Sequence, residues 1–116
     1  MLDRLEISGI HTDLDKKVKL YAKEKIGGLD KYIPKHAKKS AHAEVNLKEH
    51  KTRGRKFVCK VIMHLPVQTL TVHEEGSTFE EAIDLAEAKL KTQIIKYKDM
   101  HTSSKPRRLL LKRFIR

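Results

Sequence analysis

Between Ser77 and His101, apolar residues recur at helical spacing: Phe79, Ala82, Ile83, Ala86, Leu90, Ile94 and Tyr97. Separations of three and four place them on one stripe of an α-helix, and such a stripe is stable in water only where another surface covers it. The remainder of the chain has to supply that surface. Two overlapping pairs mark the start of the helix, Ser77 with Glu80 and Thr78 with Glu81, each able to satisfy orphan backbone N–H groups as a capping box. Glu80, Glu81, Asp84 and Glu87 fill its first half and Lys89, Lys91, Lys96 and Lys98 its second, which matches the sign of the helix dipole at each end. At about 100° per residue, Lys89 and Lys96 fall on one flank of the stripe and Lys91 and Lys98 on the other. Two basic rows then border the buried face.

The covering surface is written in period two. Leu5 and Ile7 alternate with Arg4 and Glu6 in a short first strand that Gly9 is expected to break. Thr12 and Asp15 form a weaker capping pair ahead of Leu14, Val18, Tyr21, Ala22, Ile26 and Leu29, the stripe of a first helix. Gly27 and Gly28 weaken that helix near its end, Pro34 forbids continuation past Ile33, and Lys35 to Ser40 reads as a basic connector. Ala41, Ala43, Val45 and Leu47 then alternate with polar residues. Phe57, Cys59, Val61, Met63 and Leu65 do the same, and after Pro66 and Val67 so do Leu70 and Val72. Between the second and third strands lies Lys51-Thr52-Arg53-Gly54-Arg55, a hairpin tip whose cations suit contact with phosphate. The order β-α-β-β-β-α predicts an α+β fold: strands 1 and 2 form a parallel crossover pair, strands 2 to 4 an antiparallel meander, and two helices share one face of a four-stranded mixed sheet. The opposite face is polar at His42, Lys60, His64, Thr71 and His73, the wet side of an antiparallel sheet.

Charge narrows the function. The chain holds 26 Lys+Arg against 15 Asp+Glu, a net charge of +11, well beyond what solubility requires. A polyanion is the expected partner and nucleic acid the usual one. Within the first helix, Lys23 lies off the apolar stripe, whereas Lys25 falls within about 20° of its centre by the helical count. Lys25 either snorkels over apolar neighbours or presents its cation in a groove between the helices, and both readings stay open. Residues 1–101 form the expected domain and residues 102–116 a basic tail containing Lys105, Arg107, Arg108, Lys112, Arg113 and Arg116. The tail is also apolar enough to order on a partner. A membrane surface is the rival partner for such a tail, but it is short and has no lipidation signal, and RNA is preferred. No apolar run approaches the ~20 residues of a membrane span, no signal core opens the chain, and the single Cys59 excludes an internal disulfide, so a cytoplasmic protein is expected. The seven histidines lack metal-ligand spacing, and no HExxH, cysteine pair or glycine-rich phosphate loop accompanies them. Neither catalysis, metal, cofactor nor small-molecule substrate is expected, and Cys59 reads as a buried, unreactive thiol.

The element order, with Glu75-Gly76 before the second helix, Ala82-Ile83-Asp84, then Lys89-Leu90, Gln93, Lys96 and Lys98 within it, resembles the ribosome hibernation-promoting factors, also called ribosome-associated translation inhibitors. Lys25-Ile26 with Leu29 and Tyr32 in the first helix adds to the resemblance, which covers about residues 2 to 101. It implies a domain seated on the small ribosomal subunit, between head and body, where it blocks the mRNA and tRNA sites of an idle ribosome. Carried over by position, the rRNA-contacting cations are Lys25, Lys89, Lys96 and Lys98. Lys91 stands one residue before the family's usual Arg, whose place Thr92 takes, and Gly28 replaces the second Lys of the first-helix motif. The full candidate RNA-binding set is therefore Lys23, Lys25, Lys89, Lys91, Lys96, Lys98, Arg53, Arg55, Lys105, Arg107 and Arg108. The chain reads as a short-form member, expected to be a monomer when free. A double-stranded-RNA-binding domain is similar in outline and is the alternative. Such domains open their second helix with lysines that grip phosphates, where this chain has Thr78-Phe79-Glu80-Glu81.

Overall fold

The computed structural model describes residues 2, 4–10, 14–50, 54 and 56–101. Four strands, β1 (Leu5–Ile10), β2 (His42–His50), β3 (Lys56–Leu65) and β4 (Gln68–Gly76), form one sheet in that order. β1 runs parallel to β2, and β2, β3 and β4 are antiparallel in turn. Between β1 and β2 lie helix α1 (Lys16–Gly27), a 3-10 turn (Gly28–Tyr32) and a one-turn helix α2 (Lys35–Lys38), and α3 (Phe79–His101) is the last element among the described residues. The expected α+β order and mixed sheet are present.

Two local expectations need correction. Gly9 lies inside β1, paired with Leu47; a parallel ladder asks only for its backbone, which a glycine supplies. Lys35–Lys38 is helical rather than a plain connector, anchored by the fully buried Ala37 with the Ala37 and Lys38 amides donating to Pro34 O. The glycines do weaken the first helix near its end, as expected: α1 stops at Gly27 and the chain tightens at Gly28 into a 3-10 turn that carries Leu29 into the core. Asp15 caps α1, its carboxylate accepting from Lys17 N, while Thr12 lies outside the described residues.

α3 forms where its periodicity places it. Thr78 Oγ1 accepts from Glu81 N at 3.0 Å and the Glu81 carboxylate reaches back to Ser77 N at 2.9 Å, so of the two capping pairs Thr78 with Glu81 is the one used. A Cβ on Gly76 would stand 2.8 Å from Ala82 N, which is why glycine ends β4 beneath the first turn of α3. The stripe Ala82, Ile83, Ala86, Leu90, Ile94 and Tyr97 is buried against Val45, Leu47, Val61, Met63, Leu70 and Val72 of the sheet and Ala22 and Ile26 of α1 in one cluster. At about 25 cal/mol per Å² of apolar surface removed from water, that shared face is the main source of stability. Phe57 and Phe79 meet edge to face at 4.6 Å where β3 and α3 both begin.

The wet face is less polar than its alternation suggests. Lys60, Thr71 and His73 are exposed, but Val58 is only 4% exposed and Ile62 half-buried among them. His42 and His64, cross-strand partners, stack with ring centroids 4.4 Å apart, and His64 Nε2 lies 3.3 Å from the Glu44 carboxylate. The β3–β4 hairpin turns on Pro66 and Val67, the latter at φ 72. Tyr97 Oη donates to Pro66 O at 2.9 Å and ties this turn to the last turns of α3.

Candidate nucleic-acid interface

α1 and α3 lie side by side on the sheet, and the seam between them gathers charge. Tyr21 Oη donates to Asp84 Oδ1 at 2.6 Å across the seam, and Lys25 Nζ lies 3.8 Å from the same oxygen. The Lys25 side chain stays 40% exposed, its ammonium 5.5 Å from the centre of the Tyr21 ring. Of the two readings of Lys25, the geometry supports a cation in the interhelical groove. Accepting that short bond, Asp84 holds the Tyr21 phenol in its protonated form and raises its pKa to about 12; desolvation adds to the effect.

Further along the seam, Glu24, Lys25, Gly28, Leu29, Lys31, Tyr32, Glu87 and Lys91 line one depression. Its centre is Tyr32. The ammonium of Lys91 stands 4.9 Å and that of Lys31 5.3 Å from the Tyr32 ring centre, within the reach of cation–π attraction. Charge and a half-buried aromatic plane suit a phosphate beside a base or ribose, since cations attract the backbone and a ring offers a stacking face. Lys31 and Tyr32 as a platform were not legible as site residues in the sequence. They follow from the 3-10 turn, which carries the chain sideways toward α3 where a continued α-helix would not. The only local signal is the basic–aromatic pair itself.

The other basic row behaves differently. Lys89 Nζ sits 2.7 Å from Glu74 Oε2, whose side chain is 15% exposed. Glu74 follows Leu70 and Val72 on the inward side of β4, opposite Cys59, and Lys89 neutralises it at the rim of the core. Lys89 is thus a structural ion pair as well as a surface cation, a role legible only from Glu74 occupying an inward position. Burial, with Glu74 beside it, pushes the Cys59 thiol up to about 12 and keeps it unreactive. Lys96 and Lys98 are exposed on the last turns of α3. Lys23 does not join the seam. It lies on the other side of α1 with Lys16 and Lys19, facing β1. The remaining candidates Arg53, Arg55, Lys105, Arg107 and Arg108 lie outside the described residues. Among the described residues no group of three or more His, Cys, Asp or Glu side chains could hold a metal ion, and no helix is long and apolar enough to cross a membrane.

Fold and seam define a class: a four-stranded mixed sheet with two helices on one face and a cation-lined groove between them. Residues 5–102 match the family described as Sigma 54 modulation protein / S30EA ribosomal protein, and the chain belongs to that family. Over 106 residues it is 32% identical to the ribosome hibernation promotion factor of Lactococcus lactis subsp. cremoris (strain MG1363), an alignment covering 90% of this chain and 54% of that protein. The chain spans about half the length of that curated relative. Among solved structures, the N-terminal domain of Protein Y from Thermus thermophilus superposes with a TM-score of 0.67 at 25% identity, covering 83% of this chain and 97% of that one. A ribosomal subunit interface protein from Coxiella burnetii, 21% identical, shares the fold at the same TM-score over 82% of this chain and 97% of its own.

Proposed function

We propose that this protein binds the ribosome and holds it idle, its domain occupying the channel of the small subunit through which mRNA and tRNA pass. The observation that carries the reading is the seam: Lys31 and Lys91 converge on Tyr32 and Lys25 lines the same depression, on a chain of net charge +11. A surface of that kind gains affinity by releasing counterions from phosphate and gains position from a stacking face. Membership of the family, and a relative named for ribosome hibernation promotion, point the same way. The rival reading, a general duplex-RNA binder, is disfavoured by Glu80 and Glu81 in the first turn of α3, where an anion would be repelled. The proposed role is one of occupancy and needs no catalysis, metal or cofactor.

The test is co-sedimentation with purified small and large subunits at low and high salt, with mRNA and initiator tRNA as competitors. The expected result is binding to small subunits that weakens with salt and is displaced by both competitors. Equal binding to a plain RNA duplex, or binding that tRNA leaves untouched, sinks the channel reading.

A further inference from the structure

The sheet has one edge that the described residues leave open. β1 pairs only with β2, and because Ala43 N donates to Arg4 O, the alternation of a strand turns the N–H and C=O groups of Leu5, Ile7 and Gly9 away from β2. No described backbone group pairs with them. Unpaired edges invite another strand, and proteins ordinarily blunt or cover them. Beside this edge runs a groove of about 410 Å³ lined by Leu5, Ile7, Lys16, Lys19, Leu20 and Lys23. Its floor is apolar: Leu5 and Ile7 are half-buried, and Leu20 is 57% exposed despite its position on the β1 side of α1. Among the described residues its rim is cationic, Lys16, Lys19 and Lys23 recurring along one side of α1, and no acidic side chain lines it.

We propose that this edge and groove are a docking site for an extended protein segment that alternates acidic and apolar residues and pairs with β1 as a fifth strand. Each part of the surface answers one part of such a segment. The free groups of Leu5, Ile7 and Gly9 take its backbone, the Leu5–Ile7–Leu20 floor takes one face of its side chains, and the three lysines take its carboxylates. RNA would use the lysines but gain nothing from the apolar floor or the strand edge. A second copy of this chain would bring its own lysine row against the first, and the tail at residues 102–116 has cations and no acid. Charge complementarity therefore favours an acidic partner over either. Lys23, unable to reach the seam, has its role here.

The experiment uses the full chain and a ten-residue probe peptide alternating Glu with Val and Ile, with the Lys-for-Glu analogue as control. Binding is followed by fluorescence anisotropy and by residue-resolved amide exchange. The expected result is saturable binding of the acidic peptide alone, slowed exchange at Leu5, Ile7 and Gly9, and at least a tenfold loss of affinity in Lys16→Glu/Lys19→Glu and in Leu20→Ser. All three side chains are exposed, so an unchanged far-ultraviolet circular dichroism spectrum will show that the variants remain folded. Binding that leaves those three amides unchanged, or that the variants do not weaken, overturns the proposal. So does protection of the same amides by oligouridylate, which would make the groove an RNA site. So does their protection in the free chain if it disappears when residues 102–116 are removed, which would make the tail the occupant. None of these readouts depends on ribosome binding, so the two proposals stand or fall separately.

Discussion

Val67 is a β-branched residue held at φ 72, 93% exposed, in the two-residue turn between β3 and β4. Such a conformation costs roughly 1–3 kcal/mol for a non-glycine residue, and Pro66 before it sets the turn type that demands it. The turn persists because the Leu65–Gln68 pairing and the Tyr97 hydroxyl on Pro66 O over-determine it. Val67→Asn should raise stability by about 1 kcal/mol, seen as a higher urea midpoint at unchanged slope, because Asn tolerates the left-handed region. Tyr21 makes a prediction in pH. Its folded pKa of about 12 lies above the ordinary value of 10.0, so the Asp84 bond stabilises fully below pH 10 and is lost as pH rises toward 12. Cys59, raised from 9.0 to about 12, adds a loss that begins near pH 9. Urea midpoints should therefore fall from about pH 9 upward, and Tyr21→Phe should make the fall above pH 10 shallower while leaving the share that Cys59 contributes. A fall of identical shape in Tyr21→Phe would show that the bond does not form.

At the scale of elements, α3 is the part most plainly legible in the sequence, because its seven-residue stripe and Thr78–Glu81 cap repeat one message that tertiary contacts only reinforce. Gly9 and the Lys35–Ser40 stretch misled for a common reason. Glycine and charge density speak against regular structure locally, but the parallel pairing to Leu47 and the burial of Ala37 decide the outcome from a distance. The basic rows of α3 were legible as rows, but what each faces was not, since that depends on which side β4 and the 3-10 turn occupy. The α3 lysines should therefore separate under mutation according to what each faces. Lys91→Gln with Lys96→Gln should leave the unfolding midpoint unchanged, since Gln is close to Lys in helix propensity, and should weaken ribosome binding with a shallower salt slope. Lys89→Gln strands Glu74 at the core rim and should cost about 1–3 kcal/mol. Chemical denaturation beside subunit co-sedimentation separates the two effects, and equal behaviour of Lys89→Gln and the Lys91/Lys96 variant would refute the distinction.

For the whole molecule, every residue of the described core precedes Thr102. Removing residues 102–116 should leave the thermal midpoint within a degree or two while lowering ribosome affinity and flattening its salt dependence, as up to six phosphate-directed cations are lost. An unfolded truncation would show that the tail belongs to the core. The parallel pairing of β1 with β2 also governs how the molecule assembles in time. β2, β3 and β4 meet through short hairpins, whereas Leu5 must find Ala43 across α1, the 3-10 turn and α2. Closing that long loop is entropically late, so the meander and α3 should form the folding nucleus and β1 should dock last. Ile7→Val should then speed unfolding with little effect on the folding rate, while Val61→Ala in the central strand should slow folding, a contrast that stopped-flow chevrons would reveal. The strand that joins last is also the first to leave, so this protein would begin to open at its own N-terminal edge.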